Sequence, residues 1–315
     1  MKLKFLKLIC FFGLLTICLV GCQKPNDAKD KEPLTPVIEN KESSAVGSTA
    51  TPQPEIIEPI ETKVVEMDLS SYFGEYNGSA VFYSPLNNLY EVYNLEASKE
   101  QRSPCSTFKI ASTLAALEYG IITKDNSLRL WSGEEFWNSS WNKDISLDEA
   151  FKVSCVWYYR RLIDEIGQDR MQSFINTLEY GNKDISDLEG DFNQNNNNRA
   201  LTGFWIESSL KISPCEQVEM LERIFGPEAI FTKENITVLK EIMFVEQDVT
   251  PIKIYGKTGY GKIKNISLDS WFVGIFEIDS EPTYFAIHLS ESENPEVTSA
   301  YAKGIAIQMI ADRFN

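Results

Sequence analysis

Ser106 and Lys109 stand three positions apart in the stretch Pro104-Cys105-Ser106-Thr107-Phe108-Lys109-Ile110. A serine hydroxyl is a poor nucleophile at neutral pH and needs a base within hydrogen-bond reach. A lysine three residues on supplies one if the stretch is helical, because such positions share a helix face. At the first turn of that helix, free backbone N–H groups and the positive dipole end favour the oxyanion formed when serine attacks a carbonyl. A lysine with the usual pKa of about 10.4 is useless as a base, so its surroundings must disfavour the ammonium. Phe108 and Ile110 meet that need. The pair points to serine acyl transfer, but an isolated S-x-x-K is common by chance and needs support from elsewhere in the chain.

The elements that must position this pair are legible as strands, then helices, then strands, then a helix. Gly78 to Tyr83 and Leu89 to Asn94, joined through Ser84-Pro85-Leu86-Asn87-Asn88, read as a β-hairpin. Lys253 to Tyr260, Asp269 to Glu277 and Thr283 to Ser290 read as three further strands, with Asp279-Ser280-Glu281-Pro282 as the last turn. Val297 to Phe314 reads as a closing helix. The interior from Ser106 to about Val249 carries helical periodicity, as in Phe108, Ala111, Leu114, Ala115 and Glu118 ending at Gly120, or Val156, Leu162, Ile163 and Ile166 ending at Gly167. That order predicts an α+β protein: an antiparallel sheet built from both chain ends and flanked by N- and C-terminal helices, with a helical subdomain inserted.

The chain has 315 residues, of which 43% are hydrophobic and 12% aromatic, enough for a substantial core. Lys2, Lys4 and Lys7 precede an apolar run over residues 8–20, which has the charge and length of a secretion signal rather than a stable span. The run ends in Leu19-Val20-Gly21-Cys22, which resembles a bacterial lipobox and implies cleavage before Cys22 and lipid on its thiol. Residues 23–62 contain no aromatic side chain and read as a flexible tether. The expected organisation is therefore a signal over 1–21, a lipid-anchored tether over 22–62 and a catalytic domain over 63–315, held at the outer face of a bacterial cell membrane. Loss of three lysines with the signal moves the formal charge from −16 to −19, which disfavours nucleic acid as a partner. No spacing among Cys105, Cys155 and Cys215 suggests a metal site. Cys105 and Cys155 each neighbour a motif serine, so a disulfide between them is an open alternative to free thiols. His288, the one histidine, falls in an alternating strand and reads as structural, which argues against Ser-His-Asp chemistry. Trp131, Phe136 and Trp137 read as packing residues.

Two further elements follow Ser106-Thr107-Phe108-Lys109 in order: Ser154-Cys155-Val156 and Lys257-Thr258-Gly259. Together they are similar to the motif set of penicillin-binding proteins and serine β-lactamases. The resemblance implies that Ser154 bridges protons, that Lys257 and Thr258 beside Gly259 hold a substrate carboxylate, and that the Tyr260 N–H is a second oxyanion donor. The chain most resembles the class D serine β-lactamases, from roughly Tyr72 to its C-terminus. The stretches that carry this are Trp141-Asn142-Lys143-Asp144, the valine ending of Ser154-Cys155-Val156, Tyr180-Gly181-Asn182, Phe204-Trp205 before Lys211-Ile212-Ser213, and Trp271-Phe272-Val273-Gly274.

That family implies a Lys109 carboxylated by carbon dioxide to a carbamate that serves as base, shielded by Val156 and supported by the Trp205 indole N–H, with Trp141 near the mouth of the site. It implies β-lactam substrates, an acyl-enzyme on Ser106, hydrolysis of the β-lactam ring, antibiotic resistance, and no metal or other cofactor. A β-lactam sensor domain would carry the same motifs and keep the adduct; such sensors usually follow a multi-span membrane portion, whereas this chain shows a signal and lipobox. A cell-wall transpeptidase is disfavoured by the valine at 156 and by Trp205. Two departures stand out. The stretch between Asn182 and Phe204, with Asn195-Asn196-Asn197-Asn198, is longer than the family loop and reads as a solvated insertion before an unchanged anchor. No arginine lies between Trp271 and Ala311 to pair with a substrate carboxylate, so Lys303 or Lys262 stands in for it.

Overall fold

The computed structural model describes residues 62–264, 266–294 and 297–314. The expected signal, Cys22 and the tether as far as residue 61 lie outside them. The sheet has six strands, β1 (Lys63–Glu66), β2 (Gly78–Ser84), β3 (Leu89–Tyr93), β4 (Ile254–Ile263), β5 (Ile266–Ile278) and β6 (Glu281–Leu289), in the order β1-β3-β2-β6-β5-β4. Both chain ends contribute, as expected. One pairing departs from the antiparallel expectation: β1 runs parallel to β3. Its four residues are all exposed and carry no alternation, so no periodicity marks the strand. The turn between β5 and β6 is tighter than read, since only Asp279 and Ser280 lie outside the strands, both with positive φ (52° and 72°). That is the conformation a two-residue hairpin requires.

Side-chain alternation along the central strands builds a core on each face. Trp271, Val273 and Ile275 of β5, with Tyr284 and Ala286 of β6, face the inserted helices. Phe272 and Phe276, with Phe285 and Ile287, face the closing helix α8 (Ser299–Phe314) and the short α1 (Ser70–Phe73). A strand covered on both faces must be apolar on both, and β5 is. The insertion supplies α2 (Lys109–Glu118), α3 (Leu147–Lys152), α4 (Val156–Ile166), α5 (Gln168–Leu178), α6 (Pro214–Phe225) and α7 (Lys233–Ile242). α6 begins with a capping box: Ser213 Oγ accepts from the Glu216 N–H (3.2 Å), and Glu216 accepts from the Ser213 N–H (2.7 Å). Among the described residues no helix is long and apolar enough to cross a membrane.

Candidate active site

Ser106 does not lie in α2 itself. It sits in a 3₁₀ turn, Cys105–Phe108, that feeds directly into the helix, with Cys105 held at φ 49°. Three ties fix the turn. Thr107 Oγ1 donates to the Pro104 carbonyl (2.8 Å), Gln217 Nε2 donates to Thr107 Oγ1 (2.8 Å), and the Trp271 indole donates to the Ser103 carbonyl (2.9 Å). Lys109 Nζ donates to Ser106 Oγ at 2.7 Å. The lysine is fully buried, and its ammonium lies 5.2 Å from the centre of the Tyr159 ring. Burial pushes its pKa down to about 8, against a smaller opposite pull from Cys155 and Cys105. At pH 7 a group of pKa 8 is neutral in roughly one molecule in ten, against about one in three thousand for a lysine in water. A hydroxyl and an amine with an accessible neutral form thus stand within hydrogen-bond reach.

β4 passes against this turn. A Cβ on Gly259 would lie 2.8 Å from the Pro104 carbonyl oxygen and 2.9 Å from Thr107 Cγ2, so only glycine lets the strand come so close. The outer edge of β4 is covered at its start, where the Gly256 N–H donates to the Met243 carbonyl, and past its register shift, where Glu207 and Gln194 bond the Lys262 backbone. Antiparallel pairing alternates the direction of backbone groups, and the register to β5 is unbroken from Gly256 to Tyr260. The N–H groups of Thr258 and Tyr260 therefore also point outward, at the free edge beside Ser106. This is the orientation an oxyanion donor at Tyr260 requires.

The second motif lies at the junction of α3 and α4. Ser154 has φ 56°, a conformation costly for a non-glycine residue, held by its N–H to the Phe151 carbonyl (3.2 Å) and by the Cys155 N–H to the Ala150 carbonyl (2.9 Å). Val156 is the first residue of α4 and packs on the main core. Cys105 and Cys155 are both buried free thiols; burial pushes the Cys155 pKa up to about 12 and that of Cys105 higher still. Lys257 is 4% exposed, and its ammonium donates to the Thr258 carbonyl (3.1 Å) and to Thr258 Oγ1 (3.3 Å). Burial, then Lys109, then Lys303 hold its pKa well below the lysine range.

Trp205 is fully buried, its ring near Phe108 (6.1 Å between centres) and close-packed on Gly203. Its indole N–H has no acceptor among the described residues. An unpaired donor in an apolar core costs about 1–3 kcal/mol. The long stretch ahead of it is no loose insertion. Asn193 is buried and donates to the Ile206 carbonyl (3.2 Å), Gln194 donates to the Lys262 carbonyl (2.6 Å), and Arg199 pairs with Asp164 (2.5 Å) and Glu189 (2.6 Å). These ties hold Trp205 in place.

The two neighbouring tryptophans ahead of Ser154 differ in exposure. Trp137, read as packing, is 81% exposed and lies 5.0 Å from the ring of Trp141. Trp141, which the resemblance places near the mouth of the site, is 4% exposed and donates its indole N–H to the Val153 carbonyl (3.0 Å), immediately before Ser154. It acts on the site by fixing the Ser154 backbone. Trp131 is half-buried and only Phe136 of the packing group is in the core. His288 is structural as read: buried, bonded to Asp269 (2.9 Å) and packed at a tilt on Trp271 (4.1 Å between ring centres).

Glu207 was not anticipated. It sits two residues past Trp205 at φ 52°, its N–H bonded to Ser103 Oγ (2.8 Å) and its carboxylate accepting from the Lys262 N–H (2.6 Å) where β4 shifts register. It joins the Trp205 loop to both the Ser106 turn and β4, and burial raises its pKa. Only the positive φ sets it apart, and φ is not visible in sequence.

Residues 71–312 match the family described as penicillin binding protein transpeptidase domain. The chain is 31% identical over 248 residues to the regulatory protein BlaR1 of Bacillus licheniformis, an alignment covering 78% of this chain and 39% of that protein. It thus spans about two fifths of the length of that relative. It is 31% identical over 229 residues to the probable β-lactamase YbxI of Bacillus subtilis, covering 73% of this chain and 80% of the other. The solved C-terminal domain of the B. licheniformis BlaR penicillin receptor superposes with a TM-score of 0.71 at 30% identity, over 80% of this chain and 97% of that one. The chain belongs to the penicillin-binding transpeptidase domain family, and within it to the class D serine β-lactamase group.

Proposed function

We propose that the chain is a serine β-lactamase that binds penicillin-type β-lactams, opens the ring through an acyl-enzyme on Ser106 and releases the product to water. The observation that carries this is the fully buried Lys109, 2.7 Å from Ser106 Oγ and depressed to about 8. In acylation the Ser106 proton passes to the base at Lys109 while Oγ attacks the lactam carbonyl. The developing oxyanion meets the Ser106 and Tyr260 N–H groups, and Ser154 carries a proton towards the leaving nitrogen. Deacylation needs a base that survives beside the ester. The orphaned Trp205 donor supports a carboxylated Lys109, because an acceptor-rich anion there would satisfy it. Carboxylation would supply a carbamate oxygen as general base for the hydrolytic water; only the neutral amine reacts with carbon dioxide, and Lys109 offers that form. A lipid anchor at Cys22 on the outer membrane face belongs to the same reading.

The likeness to BlaR1 favours a second reading, a sensor that is acylated and does not turn over. Mixing the purified domain with excess chromogenic cephalosporin separates the two. Product far beyond one equivalent, falling when bicarbonate is removed, supports the hydrolase. A stoichiometric burst followed by silence refutes it and supports the sensor.

A further inference from the structure

The outer edge of β4 is closed on both sides of a short window. Before the window, the Gly256 N–H donates to the Met243 carbonyl (2.7 Å). After it, the outward backbone groups are taken by side chains of the stretch 183–207. The Lys262 N–H donates to Glu207 (2.6 Å), the Lys262 carbonyl accepts from Gln194 Nε2 (2.6 Å), and the Lys264 N–H donates to Gln194 Oε1 (3.1 Å). Donating to one carbonyl and accepting from the N–H two residues on is what a residue of a parallel neighbouring strand does. The Gln194 amide thus stands in for a strand, at the place where β4 would otherwise pair with an extended chain. Thr258 and Tyr260 lie between the two covers.

The same stretch is fastened on its far side. Asn198 Nδ2 donates to Glu134 Oε1 (2.6 Å), in the segment that leads to Trp141, and Arg199 pairs with Asp164 of α4 (2.5 Å). It therefore joins the β4 side of the site to the side that carries Ser154. On the function proposed above, the acidic end of a substrate lies at Lys257 and Thr258 and its reacting carbonyl at Tyr260. The acyl arm then continues along β4 towards Lys262. A strand rises about 3.4 Å per residue, so the covered groups begin about 7 Å beyond Tyr260. A compact arm ends within that distance. A longer arm, added as a strand, needs the Lys262 N–H and carbonyl for its next pair of ladder bonds and finds both occupied.

We propose that Gln194 and Glu207 determine which acyl arms the site takes: by ending the free edge of β4 after Tyr260, they admit lactams with a compact arm and exclude acyl donors whose arm is an extended peptide. This rests on the acylation of Ser106 proposed above.

The test compares two penicillins that differ in the arm alone, phenylacetyl in one and a tripeptide in the other. Acylation of Ser106 is followed by intact mass in a single turnover, so later hydrolysis does not enter. The wild-type domain should react at least about tenfold more slowly with the tripeptide form, the loss expected when a pair of ladder hydrogen bonds is denied. Gln194→Ala, at an exposed position, should leave the phenylacetyl rate within about twofold and narrow the gap to about threefold. Adding Glu207→Ala should close the gap, whereas Glu207→Gln, which keeps the acceptor, should behave as wild type. Equal rates of the two penicillins on the wild-type domain, or a gap that the single and double variants leave unchanged, would overturn the assignment while leaving acyl transfer intact. A wild-type domain that neither penicillin acylates would overturn the function and the assignment together.

Discussion

Replacing Lys109 by methionine should make the protein more stable and inert, and the size of the gain follows from the burial of the ammonium. Holding that group at about 8 instead of 10.5 costs the folded state about 3 kcal/mol, at about 1.4 kcal/mol per pKa unit. A base whose folded pKa lies below its unfolded one leaves the unfolded chain holding more protons between the two values, so stability rises with pH across that window. The full cost is present below pH 8 and gone above about 10.5. Methionine removes the charge, keeps most of the volume, and forfeits the bond to Ser106, worth about 1 kcal/mol. The net expectation at pH 7 is a gain of about 2 kcal/mol, or about 4–8 °C in Tm for a domain of this size. The gain should shrink to nothing by pH 10. Calorimetric melts of both forms in carbon dioxide-free buffer from pH 6 to 10 provide the assay. A Lys109→Met protein that is less stable than wild type, or whose advantage does not change with pH, would refute a predominantly cationic, buried Lys109.

Trp205→Phe deletes the orphaned donor while keeping an aromatic ring, and should raise the bicarbonate concentration needed for half-maximal turnover roughly tenfold, as read from a bicarbonate titration. Gly259→Ala places a methyl group 2.8 Å from the Pro104 carbonyl oxygen, so β4 must withdraw from the Ser106 turn. Acylation should fall by about 10²-fold with a stability loss of about 1–3 kcal/mol, measured by labelled penicillin and by denaturant melts. Arg199→Ala should cost under about 1 kcal/mol, because the Arg199 side chain is 55% exposed, but should speed limited proteolysis within residues 190–200.

What the sequence made legible was chemistry carried by short spacings. Ser106 and Lys109 depend on one helical turn, and the strands around Trp271 and Tyr284 declare themselves as short apolar, aromatic-rich runs bounded by turn residues. What it hid was decided by tertiary contact. β1 has no pattern of its own and is a strand only because β3 lies beside it. Trp137 and Trp141 are equivalent as residue types, and tertiary partners distinguish the buried ring: Trp141 packs on Phe136 and bonds Val153 and Trp157. Glu207 works through its own N–H on the Ser103 hydroxyl and its carboxylate on the Lys262 N–H, two partners 104 and 55 residues away that only the folded chain brings to it. The asparagine-rich stretch looked solvated because its composition is polar, yet Arg199 and Asn193 bind it to the helices and to the Trp205 loop.

On the proposed function the two buried lysines do opposite things, and their surroundings divide the work. Lys109 is sealed by Ser106 and the Tyr159 ring and serves best uncharged. Lys257 is nearly as buried but opens on a cavity shared with Lys303, and it serves best charged. Its pKa is held down by burial and by two positive neighbours, Lys109 and Lys303. An arriving anion favours the ammonium, so the group must take up protons as the anion binds, and affinity must fall as pH rises. Titration calorimetry of benzylpenicillin into Ser106→Ala, in buffers of different ionisation enthalpy, reads that uptake without acylation. Net proton uptake that disappears in Lys257→Met, where affinity is also weaker, is the expected result. Binding with no proton uptake and no dependence on pH would mean that Lys257 is fully charged before the substrate arrives, and that burial does not set its charge.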